Sequence, residues 1–118
     1  MLHQLNYRIR HVCQTSKGGI SVPVVLAAGG LSVECDARID TGSEYCLFQR
    51  RLADALELDL ENGHQMQMET LAGLFTAYGH AVTLQTFDLA FDVMVYFAAD
   101  YGVPRNLLGR HGWLQQIA

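Results

Sequence analysis

The sequence is short of charge, of basic residues and of proline. Charged residues make up 17% of its 118 positions, against roughly 25% in an average soluble domain, so part of the surface is expected to be covered by a partner. Lys and Arg number 8 against 12 Asp and Glu, for a formal net charge of -4. Without a basic stripe, electrostatic binding to nucleic acid is not expected. No apolar run approaches the ~20 residues that span a bilayer, and residues 1–10 mix polar and apolar types rather than forming a secretory leader. Cys13, Cys35 and Cys46 are odd in number and show no C-x-x-C spacing. They read as free thiols in a reducing, cytoplasmic setting, not as a disulfide frame or a zinc site. The five histidines are scattered without metal-ligand spacing, and no metal or cofactor is expected. Repeats, charge blocks and Ser/Pro-rich linkers are absent as well, so residues 1–118 read as a single domain.

Half of the residues are apolar, enough for a core, and their spacing is mostly that of strands. Residues 7–12 alternate weakly, as an edge strand would. Ile20, Val22, Val24 and Leu26 fall on one face, with Pro23 opposite, which suggests an edge or a bulge. Gly29-Gly30 reads as a hairpin turn. Leu31, Val33, Cys35, Ala37 and Ile39 then alternate strictly with Ser32, Glu34, Asp36 and Arg38, the pattern of a strand with one buried and one wet face. Residues 48–58 change to a helical period. Residues 65–69 and 74–78 read as two arms of a hairpin with its tip at 70–73. Beyond Val82 and Leu84 the apolar positions Phe87, Leu89, Phe91, Val93, Val95 and Phe97 reverse parity, which requires a turn or bulge near 86–90. Leu107-Leu108 reads as a short strand, and Trp113, Leu114 and Ile117 as a last short helix. The expected class is a mostly antiparallel, closed or nearly closed β domain.

Two segments carry chemistry. Asp40-Thr41-Gly42-Ser43 follows directly on the most regular strand. Strand parity allows Asp40 to be a solvated turn residue. The functional alternative is a carboxylate held by the short hydroxyls and the free backbone that follow it, since a buried unpaired Asp would cost several kcal/mol. The second segment is Asn106-Leu107-Leu108-Gly109-Arg110, where the glycine permits a close backbone approach. Cys46 reads as a small core residue, because no histidine is paired with it by sequence. Met66 and Met68 share one strand face and are expected to pack. Tyr78 reads as a half-buried strand residue and His111 as surface.

Together these segments resemble the retropepsin-like aspartic proteases, over about residues 20–117. In that family an apolar strand ends in Asp-Thr/Ser-Gly, here residues 39–43. A later apolar pair followed by Gly-Arg, here residues 107–110, opens a C-terminal helix. A glycine-containing hairpin flap lies between them, here 65–78, although its tip has a single glycine, Gly73. The ending Leu108-Gly109-Arg110-His111-Gly112-Trp113 looks like bacterial members. The resemblance implies a closed single-lobe acid-protease barrel and an endopeptidase acting on extended polypeptides. With one Asp-Thr-Gly per chain, it implies a homodimer with one Asp40 from each protomer. The two carboxylates would share a proton and activate a water without metal or covalent intermediate.

The resemblance also assigns roles position by position. Thr41 would bond across the dimer axis, and Gly42 would offer its carbonyl to the peptide. Ser43, Glu44, Leu71, Ala72, Gly73, Val103, Pro104 and Leu107 would line substrate, with Arg105 beside them. Gly109 and Arg110 would support the site. Glu44 would pair with Arg110 or else remain a solvated turn residue. Viral members continue into a C-terminal strand that builds much of the dimer sheet. This sequence reaches Ala118 where the last helix would end, which implies a dimer built otherwise, a weaker dimer, or a longer parent. The alternative function is a peptide-binding or dimerisation module on the same fold.

Overall fold

The computed structural model describes residues 20–70 and 73–111. The expected strand at 7–12, the final helix after His111 and the tip residues Leu71 and Ala72 lie outside the described residues.

Among the described residues, seven strands form one sheet that closes on itself. In chain order they are β1 (Ser21–Ala28), β2 (Leu31–Ile39), β3 (Leu47–Phe48), β4 (His64–Thr70), β5 (Gly73–Thr86), β6 (Leu89–Ala98) and β7 (Leu107–Leu108). Helix α1 (Arg50–Ala55) and a 3-10 turn (Leu60–Asn62) fill the connection from β3 to β4. The spatial order is β1-β2-β7-β3-β6-β5-β4, and β1 also pairs with β5. That last pairing closes a ring of six strands, from which β4 projects with the first part of β5 as a hairpin.

The local reasons follow from the sequence. In β1, Val22, Val24 and Leu26 point into the ring and are at most 1% exposed, the period-2 pattern of a strand. The expected edge at Pro23 is local: among the described residues β5 pairs with β1 only over residues 25–27, so Pro23, which donates no N–H, lies outside that pairing. The parity reversal is a two-residue turn: β5 ends at Thr86, β6 begins at Leu89, and Phe87 takes φ +56°.

Two expectations need correction. The arms at 74–78 and 82–84 belong to one continuous 14-residue strand, β5. Its first part pairs with β4 and its whole second part with β6. The helix is shorter than 48–58. Phe48 pairs in parallel with Phe97 and Gln49 is extended at ψ 148°, so the helix cannot begin before Arg50. It ends in a Schellman motif, in which Leu58 N–H donates to the Ala53 carbonyl and Glu57 N–H to that of Asp54. Glu57 occupies the left-handed position at φ +55°. The short helix is held by burial of Leu52, Ala53 and Leu56, as expected where tertiary packing outweighs propensity.

Candidate active site

The site begins where β2 stops. Ile39 N–H donates to the Ile20 carbonyl at 2.8 Å, and Asp40 N–H to the Leu108 carbonyl at 3.0 Å. β7 lies parallel to β2 on one side and antiparallel to β3 on the other. The apolar pair Leu107-Leu108 is therefore a wedge between the strand that delivers Asp40 and the strand that follows its loop. The loop is pinned from within: Ser43 N–H donates to the Asp40 carbonyl at 3.1 Å, and Gly42 N–H to Asp40 Oδ1 at 3.0 Å. The second bond fixes the carboxylate with a backbone donor, a favourable charge-assisted contact. Asp40 is half-buried, while Thr41 and Gly42 are exposed.

Gly109 locks the loop from behind. A Cβ there would fall 2.4 Å from the Tyr45 carbonyl oxygen and 2.9 Å from that of Ser43. This contact requires glycine for its missing side chain, not for an unusual φ. Beside it, Arg110 N–H donates to the Ser43 carbonyl at 2.9 Å and His111 N–H to the Glu44 carbonyl at 2.7 Å. Of the two readings of Glu44, the solvated turn residue is the one seen, and these main-chain bonds join the two segments. The Glu44 and Arg110 side chains are both exposed and do not meet. The main chain already brings the two segments together, so a side-chain bridge is not needed to hold them. His111 is exposed, its ring 5.5 Å from that of Tyr45.

Two clefts flank Leu47, and the first of them opens on this loop. The first, about 360 Å³, lies between residues 42–45, Leu47 and residues 66–69 of β4. The second, about 220 Å³, lies between Leu47, residues 73–75 of β5 and a wall made by Asp100, Gly102 and residues 103–105. Of the residues expected to contact substrate, Ser43 and Glu44 line the first cleft, and Gly73, Val103 and Pro104 the second. Leu107 is 8% exposed and lies beneath them in a small cluster with Leu47, Ala77, Tyr96 and Ala98. Ser43 Oγ is turned back to the Tyr45 carbonyl at 2.9 Å. Gln67, Glu69, Leu74 and Phe75 also line the clefts without having been singled out. Met66 and Met68 do pack, against the small cluster, and they line the first cleft at the same time. Their alternation with Gln67 and Glu69 was the available signal, but alternation does not say what a face looks onto.

Cys46 is fully buried and its thiol donates to the His111 carbonyl at 3.7 Å. Burial pushes that thiol up to about 11, which leaves it neutral and unreactive at ordinary pH.

A ring of six strands with a projecting hairpin over a strand-end Asp-Thr-Gly loop defines the retropepsin-like fold. The family model described as aspartyl protease matches residues 22–111, and the chain belongs to that family. No curated protein matches it. Among solved structures it is similar to the EIAV protease complexed with the inhibitor HBY-793, at a TM-score of 0.57 and 16% identity, covering 80% of this chain and 84% of that one. That likeness shows the fold. No helix among the described residues is long and apolar enough to cross a membrane.

Proposed function

We propose that the protein is an aspartic endopeptidase that works as a symmetric homodimer, with Asp40 of each protomer forming the catalytic pair. The observation that carries this reading is the placement of Asp40. Its carboxylate is held by the Gly42 N–H at the end of β2, and the residues that follow it, Gly42 to Tyr45, line a cleft facing β4 of the hairpin. One chain supplies one such carboxylate, and a two-fold axis supplies the second without further sequence. Leu74, 67% exposed beside the hairpin tip, is apolar surface that a partner or a bound peptide would cover.

Two carboxylates this close share one proton. The ionised member takes a proton from a water while its oxygen attacks the scissile carbonyl carbon. The protonated member gives its proton to the carbonyl oxygen. The tetrahedral diol then collapses: the C–N bond breaks, and the amine leaves with a proton from the pair. Thr41 would brace the pair across the axis. The Gly42 carbonyl and the hairpin would hold the peptide extended, in the manner of an added strand. Ser43, Glu44, Leu71, Ala72, Gly73, Val103, Pro104 and Leu107 would contact or underlie its side chains.

The test is cleavage of a diverse peptide mixture from acid to neutral pH, wild type beside Asp40→Asn, together with the mass in solution. The wild type is expected to be dimeric and to cleave with a bell-shaped pH dependence. Asp40→Asn should lose activity on the order of 10³-fold or more with its fold intact. Undiminished cleavage by purified Asp40→Asn would sink the assignment. A dimer that binds peptides without cutting them would favour the binding-module reading.

A further inference from the structure

The wall of the second cleft is a loop, residues 99–106, that no regular pairing holds in place between β6 and β7. Its two ends are nevertheless fixed, and both anchors come from one short stretch at the start of α1. At the far end, Gln49 N–H donates to Asn106 Oδ1 at 2.9 Å, and Asn106 Nδ2 donates to the Asp36 carbonyl at 3.2 Å. At the near end, Arg50 Nη1 donates to the Ala99 carbonyl at 2.9 Å. The same residue also links to the hairpin, because Ala99 N–H donates to the Thr76 carbonyl of β5 at 2.9 Å.

Arg50 is built into this place with unusual completeness. Nη1 also donates to Glu61 Oε2 at 3.0 Å, which ties it to the 3-10 turn. Its guanidinium carbon lies 5.4 Å from the centre of the Tyr101 ring, a cation–π contact. The Tyr101 hydroxyl donates to Asp54 Oδ2 on α1. Arg50 Nε is buried without a hydrogen-bond partner, 3.9 Å from Asp54 Oδ1. A buried donor left open shows that the side chain is placed by its other contacts and not by optimisation of its own bonds. Two of those contacts reach residues 99 and 101, immediately before the cleft-lining residues 102–105, and the contact with Glu61 ties the same guanidinium to the 3-10 turn.

We infer that Arg50 and Tyr101 form a latch that sets the distance between the 99–106 loop and the hairpin, and with it the size of side chain the second cleft accepts. Arg50 is thus a positioning residue for substrate selection. It does not touch the reacting groups. The substrate half of this inference rests on the proposed peptidase activity; the latch half does not.

Hydrogen exchange read by mass spectrometry tests the latch without any activity. In Arg50→Met, peptides covering 99–106 should exchange about tenfold faster, the loss expected when a charge-assisted bond is removed. Peptides covering 89–98 should be unchanged. Arg50→Lys should restore part of the protection, because an ammonium reaches one acceptor but lacks the flat fork that serves several. Tyr101→Phe removes only the hydroxyl and should show a smaller effect of the same pattern. Unchanged loop exchange in Arg50→Met overturns the latch, as does faster exchange across β6. Paired peptide substrates with Phe or Ala on either side of the cut test selection. Arg50→Met should raise KM about tenfold for one Phe peptide while its Ala counterpart and both kcat values move less than about twofold. Equal changes for Phe and Ala peptides overturn the selective role. A wild type that cuts nothing counts against the peptidase reading, and the exchange measurement alone then decides the latch.

Discussion

The barrel carries two apolar clusters on opposite faces of the same strands. Val95 and Phe97 of β6 point into the ring, while Tyr96 and Ala98 point out of it. Phe48 and Leu108 are likewise inside, and their neighbours Leu47 and Leu107 outside. Among the described residues the inner cluster has 15 buried members, with partly buried residues such as Ile39 and Tyr78 at its margin. The outer one has five, and Tyr45, Met66, Met68, Phe75 and Val103, which complete it, are only partly buried. Those five also line the two clefts. The unbroken buried run from Val95 to Ala98 is therefore a stretch of sheet covered on both faces. Inside it is covered by the barrel, and outside by the hairpin and the 99–106 loop. The inner cluster stabilises the fold, and the outer cluster is left unfinished where a peptide would complete it.

Mutations should separate the two. Phe97→Ala empties the inner cluster and should cost about 4 kcal/mol of stability, read by denaturant unfolding. Gly109→Ala forces a methyl group onto the Tyr45 carbonyl and should cost about 3 kcal/mol or more, damaging both regions because it spreads the crossing beneath them. Met68→Ala, in the outer cluster, should cost only about 1 kcal/mol, yet it should raise KM for peptide several-fold. Loss of stability without a KM change would show that the outer cluster is simply more core.

Smaller effects mark the edges of the comparison. Glu57→Gly relieves the left-handed residue that ends α1 and should stabilise by up to about 1 kcal/mol, with peptide kinetics unchanged. Cys46, on the inner side, tests the burial chemically. Its thiol is pushed up by burial from 9.0 to about 11, so its stabilising contribution is whole below pH 9.0 and fades as pH rises toward about 11. At neutral pH about a hundredfold less thiolate forms than in the unfolded chain, and alkylation should reach Cys46 only on denaturation. The smallest effect is at Glu61, whose carboxyl is held below its ordinary value first by its own backbone N–H and then by Arg50. The Arg50–Glu61 contact should be present above pH 4.5 and disappear as pH falls past the lowered value, loosening residues 99–106 in acid.

The regular part of the fold was legible. Strict alternation in residues 31–39 identified β2, and the parity reversal after Leu84 called for a turn or bulge near 86–90, because one strand face cannot change sides without one; the structure puts a turn at Phe87 and Asp88. Asp40 and Gly109 were singled out for a different reason: each alone reads as an ordinary turn residue, and only the two segments together carried the resemblance to retropepsin-like proteases. The start of α1 was not legible. Leu47 and Phe48 have the same apolar character in a helix as in β3, and only their pairing with β6 decides between the two. The choice between a Glu44–Arg110 pair and a solvated Glu44 was also not legible, because spacing brings segments together without saying whether side chains or main chain make the link.

By itself the sequence determined the strand periods, the Asp-Thr-Gly-Ser loop and the Leu-Leu-Gly-Arg segment, since each depends on neighbours within a few positions. The tertiary structure decided which face of β4 and β6 looks onto a cleft, and it decided that Arg50 would meet Ala99 and Tyr101 some fifty positions away. Side-chain contacts between distant segments depend on how the ring closes, and a local pattern carries no information about closure.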